Sequence, residues 1–400
     1  MFQSLANHST DIKQLLDEGY SLEVRGGGGF LLIHHIPYVN ASKKICYGIL
    51  VSELKMGPKD KTEAPSTHQI YFKGDFPCNT DGTPIQGIGG RDQQPQTLFD
   101  EFVVNFYFSN KPHGKNGYDD YYQKVVNYAN IISAPAKAID NTVTEKFFKP
   151  IFHEVDSVFE YYDLNSSRAN IIPLTDKLKG LKVAILGTGG TGSYILDFLS
   201  KTPVQEIHIF DGDYFFMHNA FRAPGAASVS MLDERLKKVA YFHRIYSQMH
   251  KHVIPHDSHI SFDLFPLLDE MSFVFVAIDK GIIKKELFPH LIAKGIPFVD
   301  VGMSLGKTKG DQLTGHLRVT SASSNFHSHL QDRVTMDDPA DNIYNSNIQI
   351  AEINALNAAF AIIKFKKFFG FYLDLENEHH LDYTLEFSQL LNNDIPTQVC

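Results

Sequence analysis

A glycine-rich turn between an apolar run and a helix-like segment constrains this chain most. Residues 183–199 read "VAILGTGGTGSYILDFL", so four apolar residues lead directly into Gly187, Gly189, Gly190 and Gly192. This G-x-G-x-x-G spacing between a strand and a helix lets a phosphate group approach backbone N–H groups at the helix N-terminus. The stretch therefore predicts a nucleotide-binding strand–turn–helix unit.

The surrounding sequence predicts two domains. Short apolar runs ("LKVAILG", "EIHIFD", "FVFVAID", "IPFVDVG") alternate with helical segments, which is typical of strands buried on both faces of a parallel sheet. We expect a doubly wound, Rossmann-like α/β domain over residues 156–400, with a long apolar helix over 347–369 buried along much of its length. Residues 1–155 show a helix, four strand-like runs and a second helix, which predicts an α+β domain.

Composition excludes several classes of protein. The formal net charge is −9, which argues against broad nucleic-acid binding, and no run of eighteen apolar residues predicts a membrane span. The first twenty residues lack the basic start and apolar core of a secretory signal. Three cysteines without a C-x-x-C pair predict neither disulfides nor a cysteine zinc site. We expect a cytoplasmic protein without a nucleic-acid or membrane partner.

Polar residues follow the next predicted strand. Asp211 ends that strand, where a carboxylate accepts hydrogen bonds from ribose hydroxyls, and Asp213 comes two residues later. A nicotinamide-dependent dehydrogenase also shows such a loop and acid. Asn219 and Arg222 instead favour an enzyme acting on a triphosphate, because charge that shifts in the transition state requires fixed donors and cations.

The order G-x-G-G-x-G, D-x-D and N-x-x-R resembles the ThiF, MoeB and ubiquitin-activating-enzyme superfamily, and the resemblance covers about half of the chain. It implies a bacterial-type adenylyltransferase that activates the C-terminal glycine of a ubiquitin-like or sulfur-carrier protein. It also implies ATP and Mg²⁺ as cofactors and a homodimeric assembly. A tight turn without ligand, a nucleotide-dependent oxidoreductase or dehydratase, and a non-catalytic nucleotide-binding scaffold remain alternatives.

The resemblance also implies roles for the glycine turn and the acids. Residues 187–192 would lie under the triphosphate, Asp211 would bind the ribose, and Asn219 and Arg222 would contact phosphates. Asp279, after the strand "FVFVAID", would hold Mg²⁺, although Lys280 stands where the family has asparagine. A strand end exposed to solvent is the alternative for Asp279.

Two further cations follow from the resemblance. Lys238 is preferred to Lys237 as the lysine of the next helix, because Val239, Phe242 and Tyr246 would then share its buried face. A polar helix face is the alternative for either lysine. Arg168 matches a family arginine that reaches the ATP of the partner subunit, without the flanking residues of the family.

The cysteine pattern departs from the family. Residues 79–399 contain no cysteine, so the usual acyl-accepting thiol cannot lie beyond the "VDVG" strand. Transfer would fall to another protein or to different chemistry. Cys400, Cys78 and the serines at 321, 323 and 324 are the open alternatives within the chain.

The N-terminal half resembles a ubiquitin-conjugating-enzyme fold in its helix, strand meander and proline-bearing loop. None of the conjugating-enzyme motifs accompanies this order of elements. We expect a module that recognises a carrier or partner, and a conjugating enzyme is one candidate partner.

Overall fold

Two compact units make up the chain, Met1–Ile172 and Pro173–Cys400. The computed structural model describes residue 5 and residues 8–58, 61–90, 95–148, 157–161, 163–279, 281–336 and 348–394. The expected boundary between residues 155 and 156 lies outside the described residues, so it stays a prediction. Each unit has its own hydrophobic core.

The first unit is built on a five-stranded antiparallel sheet with the order β1-β2-β3-β4-β7. Helix α2 packs on this sheet, and the Asp120 carboxylate begins it by accepting a hydrogen bond from the Gln123 N–H. These elements confirm the α+β prediction. Their bounds are α1 Thr10–Asp17, β1 Ser21–Arg25, β2 Phe30–Val39, β3 Ile45–Glu53, β4 Gln69–Lys73, β5 Gln96–Phe99, β6 Phe102–Val104, β7 Phe106–Ser109, α2 Tyr121–Ile139 and α3 Leu164–Arg168.

The second unit contains an eight-stranded sheet with the order β10-β9-β8-β11-β12-β13-β14-β15. Neighbouring strands are parallel from β10 to β12, and antiparallel from β12 to β15. The strand bounds are β8 Lys182–Leu186, β9 Glu206–Phe210, β10 Val253–His256, β11 Phe273–Val276, β12 Phe298–Lys307, β13 Leu313–Ala322, β14 His380–Thr384 and β15 Gln389–Asn393.

Helices cover both faces of this sheet, which confirms the doubly wound α/β prediction. One face packs against α5, α8 and α11, and the other packs against α9 and a short 3-10 helix, Phe262–Leu268. The helix bounds are α4 Ile172–Thr175, α5 Gly190–Leu199, α6 Met217–Ala220, α7 Val229–Asp233, α8 Lys238–Tyr246, α9 Gly281–Ala293, α10 Leu330–Arg333 and α11 Ala351–Phe368.

Helix α11 departs from its expected burial. The helix begins at Ala351, and its contacts lie on one side, against α5, β12 and β13. Ala358, Ala361 and Phe365 are buried there, whereas Ile363 and Phe368 on other sides are exposed. Apolar composition thus overstated the burial, because neighbours cover one face of this helix. Across the described part of the chain, no helix is both long and apolar enough to cross a bilayer.

Candidate active site

A cavity of about 300 Å³ lies where β8, β9 and β11 end, beside Val301, Gly302 and Met303 in the middle of β12. Carboxyl ends of parallel strands meet at one sheet edge, which is the usual ligand position in open α/β sheets. Most of the predicted site residues contribute to it. The lining residues are Gly187, Gly189, Gly190, Thr191, Phe210, Asp211, Asp213, Arg222, Lys238, His259, Ile260, Ala277, Ile278, Asp279, Ile283, Val301, Gly302, Met303, Gln349 and Asn357.

Glycine is required at the positions of the turn for different physical reasons. Gly187 has a φ of +88°, a backbone conformation that strains any residue with a side chain. A Cβ on Gly192 would overlap the carbonyl oxygen of Gly187, and one on Gly190 would overlap the amide of Asn354. A Cβ on Gly189 would meet no atom within 4 Å. Gly189 therefore keeps uncovered backbone beside the cavity at the start of α5.

Asp211 is 5% exposed and both of its carboxylate oxygens accept backbone hydrogen bonds. Oδ2 accepts from the Thr188 N–H at 2.8 Å and from the Thr188 hydroxyl at 3.2 Å, and Oδ1 accepts from the Asp213 N–H at 2.9 Å. The carboxylate thus links the glycine turn to the loop after β9. Sequence reasoning missed Thr188, whose position inside G-T-G gives no sign of this bond.

The two candidate lysines point to different places. Lys238 is 6% exposed and lines the cavity, with its Nζ 2.7 Å from Asp213 Oδ2 and 3.6 Å from Asp211 Oδ2. Lys237 lies outside the lining, since its Nζ donates to the Gly212 carbonyl at 2.6 Å and lies 4.2 Å from the Tyr214 ring centroid. The structure therefore brings Lys238 together with the acids.

Arg222 and Asn219 also differ in whether they line the cavity. Arg222 lines the cavity, and its buried Nε has no hydrogen-bond partner among the described residues. Asn219 is buried outside the lining, and its Oδ1 accepts from the Phe216 N–H at 2.8 Å. Asn219 therefore stabilises the turn that leads to Arg222, and its direct contact with phosphates stays a prediction.

Asp279 provides an exposed carboxylate at the cavity, three residues beyond the end of β11. A single carboxylate together with substrate phosphates suits Mg²⁺, a hard cation that prefers oxygen ligands. Asp211, Asp213 and His259 also place ligand atoms within 4.8 Å of one another, but the Lys238 ammonium already pairs with the two carboxylates. The donor set thus fits Mg²⁺ best at Asp279.

Arg168 and Cys78 lie outside the cavity lining. Arg168 is exposed in the last turn of α3, with its guanidinium 5.9 Å from the Phe148 ring centroid. Cys78 is buried, its thiol donates to the Phe76 carbonyl, and burial raises its pKa. This environment disfavours the thiolate that a reactive cysteine needs. Cys400 lies outside the described residues.

The candidate serines lie at the other end of the strands. Ser321 pairs with Val299 near the start of β12, and it lines a separate cavity with His379, whose Nδ1 is 3.1 Å from Ser321 Oγ. Ser323 and Ser324 follow β13 beyond Ser321, farther from the strand ends that line the cavity beside the glycine turn. The fold therefore separates these hydroxyls from the glycine turn.

Comparisons with known proteins agree with this architecture. The family model described as "ThiF family" matches residues 128–397, and the model "Domain of unknown function (DUF6791)" matches residues 10–164. A search of curated proteins finds no match.

Solved structures that match this chain include MccB of E. coli. It is 16% identical over 71% of this chain and 84% of that chain, with a TM-score of 0.47. MccB of E. coli with ATP is 16% identical over 71% of this chain and 86% of that chain, with a TM-score of 0.44. PaaA is 15% identical over 69% of this chain and 95% of that chain, with a TM-score of 0.46. Since the family model spans more than half of the sequence, including the whole described cavity, this chain belongs to the ThiF family.

Proposed function

We propose that this protein is an ATP-dependent adenylyltransferase that activates the C-terminal carboxylate of a ubiquitin-like or sulfur-carrier protein. One observation carries the proposal: the uncovered backbone at Gly189, the cations of Arg222 and Lys238 and the Asp279 carboxylate converge on one cavity. Backbone N–H groups and fixed cations suit a triphosphate, whose charge moves toward the leaving group during reaction.

In the proposed reaction, a carrier carboxylate oxygen attacks the α-phosphorus of ATP. The bond from the α-phosphorus to the bridging oxygen breaks, and pyrophosphate leaves with the electron pair. The backbone at Gly189 orients the phosphates, and Arg222 and Lys238 stabilise the charge that develops on the leaving group. Mg²⁺ held by Asp279 would supply further charge neutralisation.

The substrate brings its own nucleophile, so adenylation itself needs no cysteine. Because residues 79–399 contain none, we propose that a second protein, such as a conjugating enzyme, accepts the activated carboxylate. A homodimer in which Arg168 approaches the partner's ATP belongs to the same proposal and rests on the family resemblance. The first unit would recognise the carrier or the acceptor.

Carrier-dependent exchange of pyrophosphate into ATP tests the proposal directly. We expect exchange that requires a free C-terminal carboxylate on the carrier, and we expect Asp279→Ala to abolish it while ATP still binds. Asp176→Ala serves as the matched control, because Asp176 pairs with Lys179 at the surface.

The same assay separates other functions of this fold. ATP binding without exchange would indicate a scaffold, and binding of NAD in place of ATP would indicate an oxidoreductase. Full exchange by Asp279→Ala would remove that carboxylate from the mechanism.

A further inference from the structure

A second cavity of about 290 Å³ lies in the second unit, at the end of the sheet opposite to the glycine turn. It is found where β11 and β12 begin and where β13 ends. The described residues that line it include none of those that line the first cavity. A ligand of this second cavity is therefore distinct from the nucleotide.

Three phenyl rings form the apolar part of its wall. Phe273 begins β11, Phe298 begins β12, and Phe368 ends α11. The ring centroids of Phe273 and Phe368 are 5.9 Å apart, and Phe368 is 52% exposed. One liquid water occupies about 30 Å³, so the cavity has room for about ten non-hydrogen atoms. These rings favour a small ligand that carries an apolar group.

Two lysines and two carboxylates balance each other at the polar part of the cavity. Lys367 Nζ lies 3.2 Å from Asp374 Oδ1 and 3.1 Å from Glu378 Oε2. Lys364 Nζ lies 3.3 Å from Glu378 Oε1. Burial lowers the pKa of His379 to about 4, so this ring adds no charge at neutral pH. The polar part is therefore neutral overall, which favours a ligand without net charge.

Lys364 and Asp374 each keep an atom without a hydrogen bond among the described residues. Lys364 Nζ is buried, and no described acceptor is aligned with its N–H groups. Asp374 accepts from Lys367 Nζ and from the Asn377 N–H through Oδ1, which leaves Oδ2 available. An unsatisfied buried donor costs about 1–3 kcal/mol and more when it is charged. These two atoms therefore indicate a ligand with an anionic acceptor for Lys364 and a cationic donor for Asp374.

We propose that this cavity binds a free amino acid with an apolar side chain. The carboxylate of the ligand accepts from Lys364 Nζ, and its ammonium group donates to Asp374 Oδ2. The Ser321 hydroxyl, whose Oγ lies 3.1 Å from His379 Nδ1, supplies a second donor for the carboxylate. The side chain of the ligand packs against the phenyl rings. A zwitterion of about ten non-hydrogen atoms matches both the balanced charge and the size of the cavity.

Calorimetric titration of the full-length protein with leucine, methionine and phenylalanine, one at a time, tests the proposal. We expect at least one of them to bind with a dissociation constant below about 1 mM. The deaminated and the decarboxylated analogues of that amino acid, isocaproate and isoamylamine in the case of leucine, are titrated next. Each should bind at least about tenfold more weakly, because each lacks one of the two charged groups.

Two protein variants address the site from the other side. Lys364→Met removes the ammonium group and keeps an unbranched side chain, and Asp374→Asn removes the charge of the carboxylate. Each should raise the dissociation constant for the amino acid at least about tenfold. Lys366→Met is the matched control and should leave it unchanged. Lys366 lies on the same helix outside the cavity lining, with its Nζ 4.6 Å from the Phe371 ring centroid.

Three outcomes would overturn the proposal. The first is that none of the three amino acids binds. The second is that the deaminated analogue binds as tightly as the amino acid, which would make this an anion site. The third is wild-type affinity in both Lys364→Met and Asp374→Asn, which would place the ligand elsewhere. Asp374→Asn remains decisive if Lys364→Met fails to fold, because Asp374 lies in the loop between α11 and β14.

Discussion

The four glycines of the turn after β8 differ in why a side chain is absent at each position. Gly190 and Gly192 lack a side chain because protein atoms occupy the space where a Cβ would lie. Gly189 has a φ of −69°, which alanine adopts without strain, and open space where its Cβ would lie. Conformational need therefore explains Gly187, and steric need explains Gly190 and Gly192.

A matched pair of alanine variants separates these reasons. Gly192→Ala should lower the free energy of unfolding by about 3 kcal/mol or abolish folding, because its Cβ overlaps backbone. Gly189→Ala should keep the melting temperature and weaken ATP binding at least about tenfold, because its Cβ enters the space beside the phosphate-facing amides. Thermal unfolding and calorimetric ATP titration measure both effects. Wild-type affinity in Gly189→Ala would place the phosphates elsewhere.

The preference for Lys238 over Lys237 shows how much a sequence can predict at this scale. Helical spacing places Lys238 with Val239 and Phe242, and the structure buries all three. The ion pair of Lys238 with Asp213 joins residues from α8 and the loop after β9, which no local pattern reveals. Helical periodicity thus selected the residue, and tertiary packing determined its partner.

At the scale of elements, α11 contacts α5, the helix that follows the glycine turn, through Asn354. This fully buried amide accepts from the Thr191 hydroxyl at 3.0 Å and donates to the Arg222 carbonyl at 3.4 Å. The missing Cβ of Gly190 lets α5 approach it. One side chain that is distant in sequence therefore positions both α5 and the loop that carries Arg222.

Asn354→Leu tests this link between elements. We expect the free energy of unfolding to fall by about 2 kcal/mol, because the Thr191 hydroxyl and the Arg222 carbonyl lose a buried partner. The dissociation constant for ATP should rise, since Arg222 loses one anchor of its loop. Urea unfolding and ATP titration measure the two effects, with the exposed Asn392→Leu on β15 as the control. Unchanged ATP binding in a destabilised Asn354→Leu would limit Asn354 to packing.

Strands with strong local signals were predicted and others were missed. β8, β11 and the first residues of β12 are buried on both faces and β9 is buried over most of its length, which explains their apolar runs. β10 contains Pro255, and β13 mixes polar residues with apolar ones because its first residues are exposed. No local sequence pattern predicted β10 or β13, since their pairing depends on neighbours distant in the chain.

At the scale of the whole molecule, the first unit carries a charge in its core. Lys124 on α2 has no exposed surface, and its Nζ donates to the Ser52 hydroxyl at 2.8 Å. Burial lowers the pKa of Lys124 to about 8 from 10.5. Between these two pH values the unfolded chain binds more protons than the folded chain, so stability should rise with pH in this window.

Lys124→Met should therefore stabilise the protein most at low pH. Below pH 8 both states of the wild type are protonated, and the full cost of the buried charge is present. One pKa unit corresponds to about 1.4 kcal/mol, so we expect a gain of about 3 kcal/mol at pH 7 that shrinks toward pH 10.5. Ser52 keeps a partner, because its hydroxyl also donates to the Glu53 carbonyl.

Hydrogen exchange of the α2 amides in the full-length chain measures the change in stability of the first unit, which contains Lys124. Lys115→Met serves as the control, because Lys115 pairs with Asp119 at the surface. A gain independent of pH would attribute the stabilisation to packing rather than to the charge of Lys124.

The sequence by itself determined the fold class and the position of the glycine turn. Strand burial and the glycine pattern are properties of consecutive residues, so neighbours in the chain reveal them. The spacing of polar residues after the glycine turn indicated Asp211 and Arg222, the family resemblance added Lys238 and Asp279, and all four line the cavity.

Only the tertiary structure decided which of the candidate side chains share that cavity. It directed Lys237 and Asn219 to backbone atoms of nearby loops, moved Ser321 to the opposite end of the strands and brought Asn354 and Asn357 to the site. Among the described strands, it also left the β11 side of β12 without a pairing partner beyond Asp300. The physical reason is that side-chain direction and strand pairing depend on contacts between residues far apart in sequence, which local periodicity does not contain.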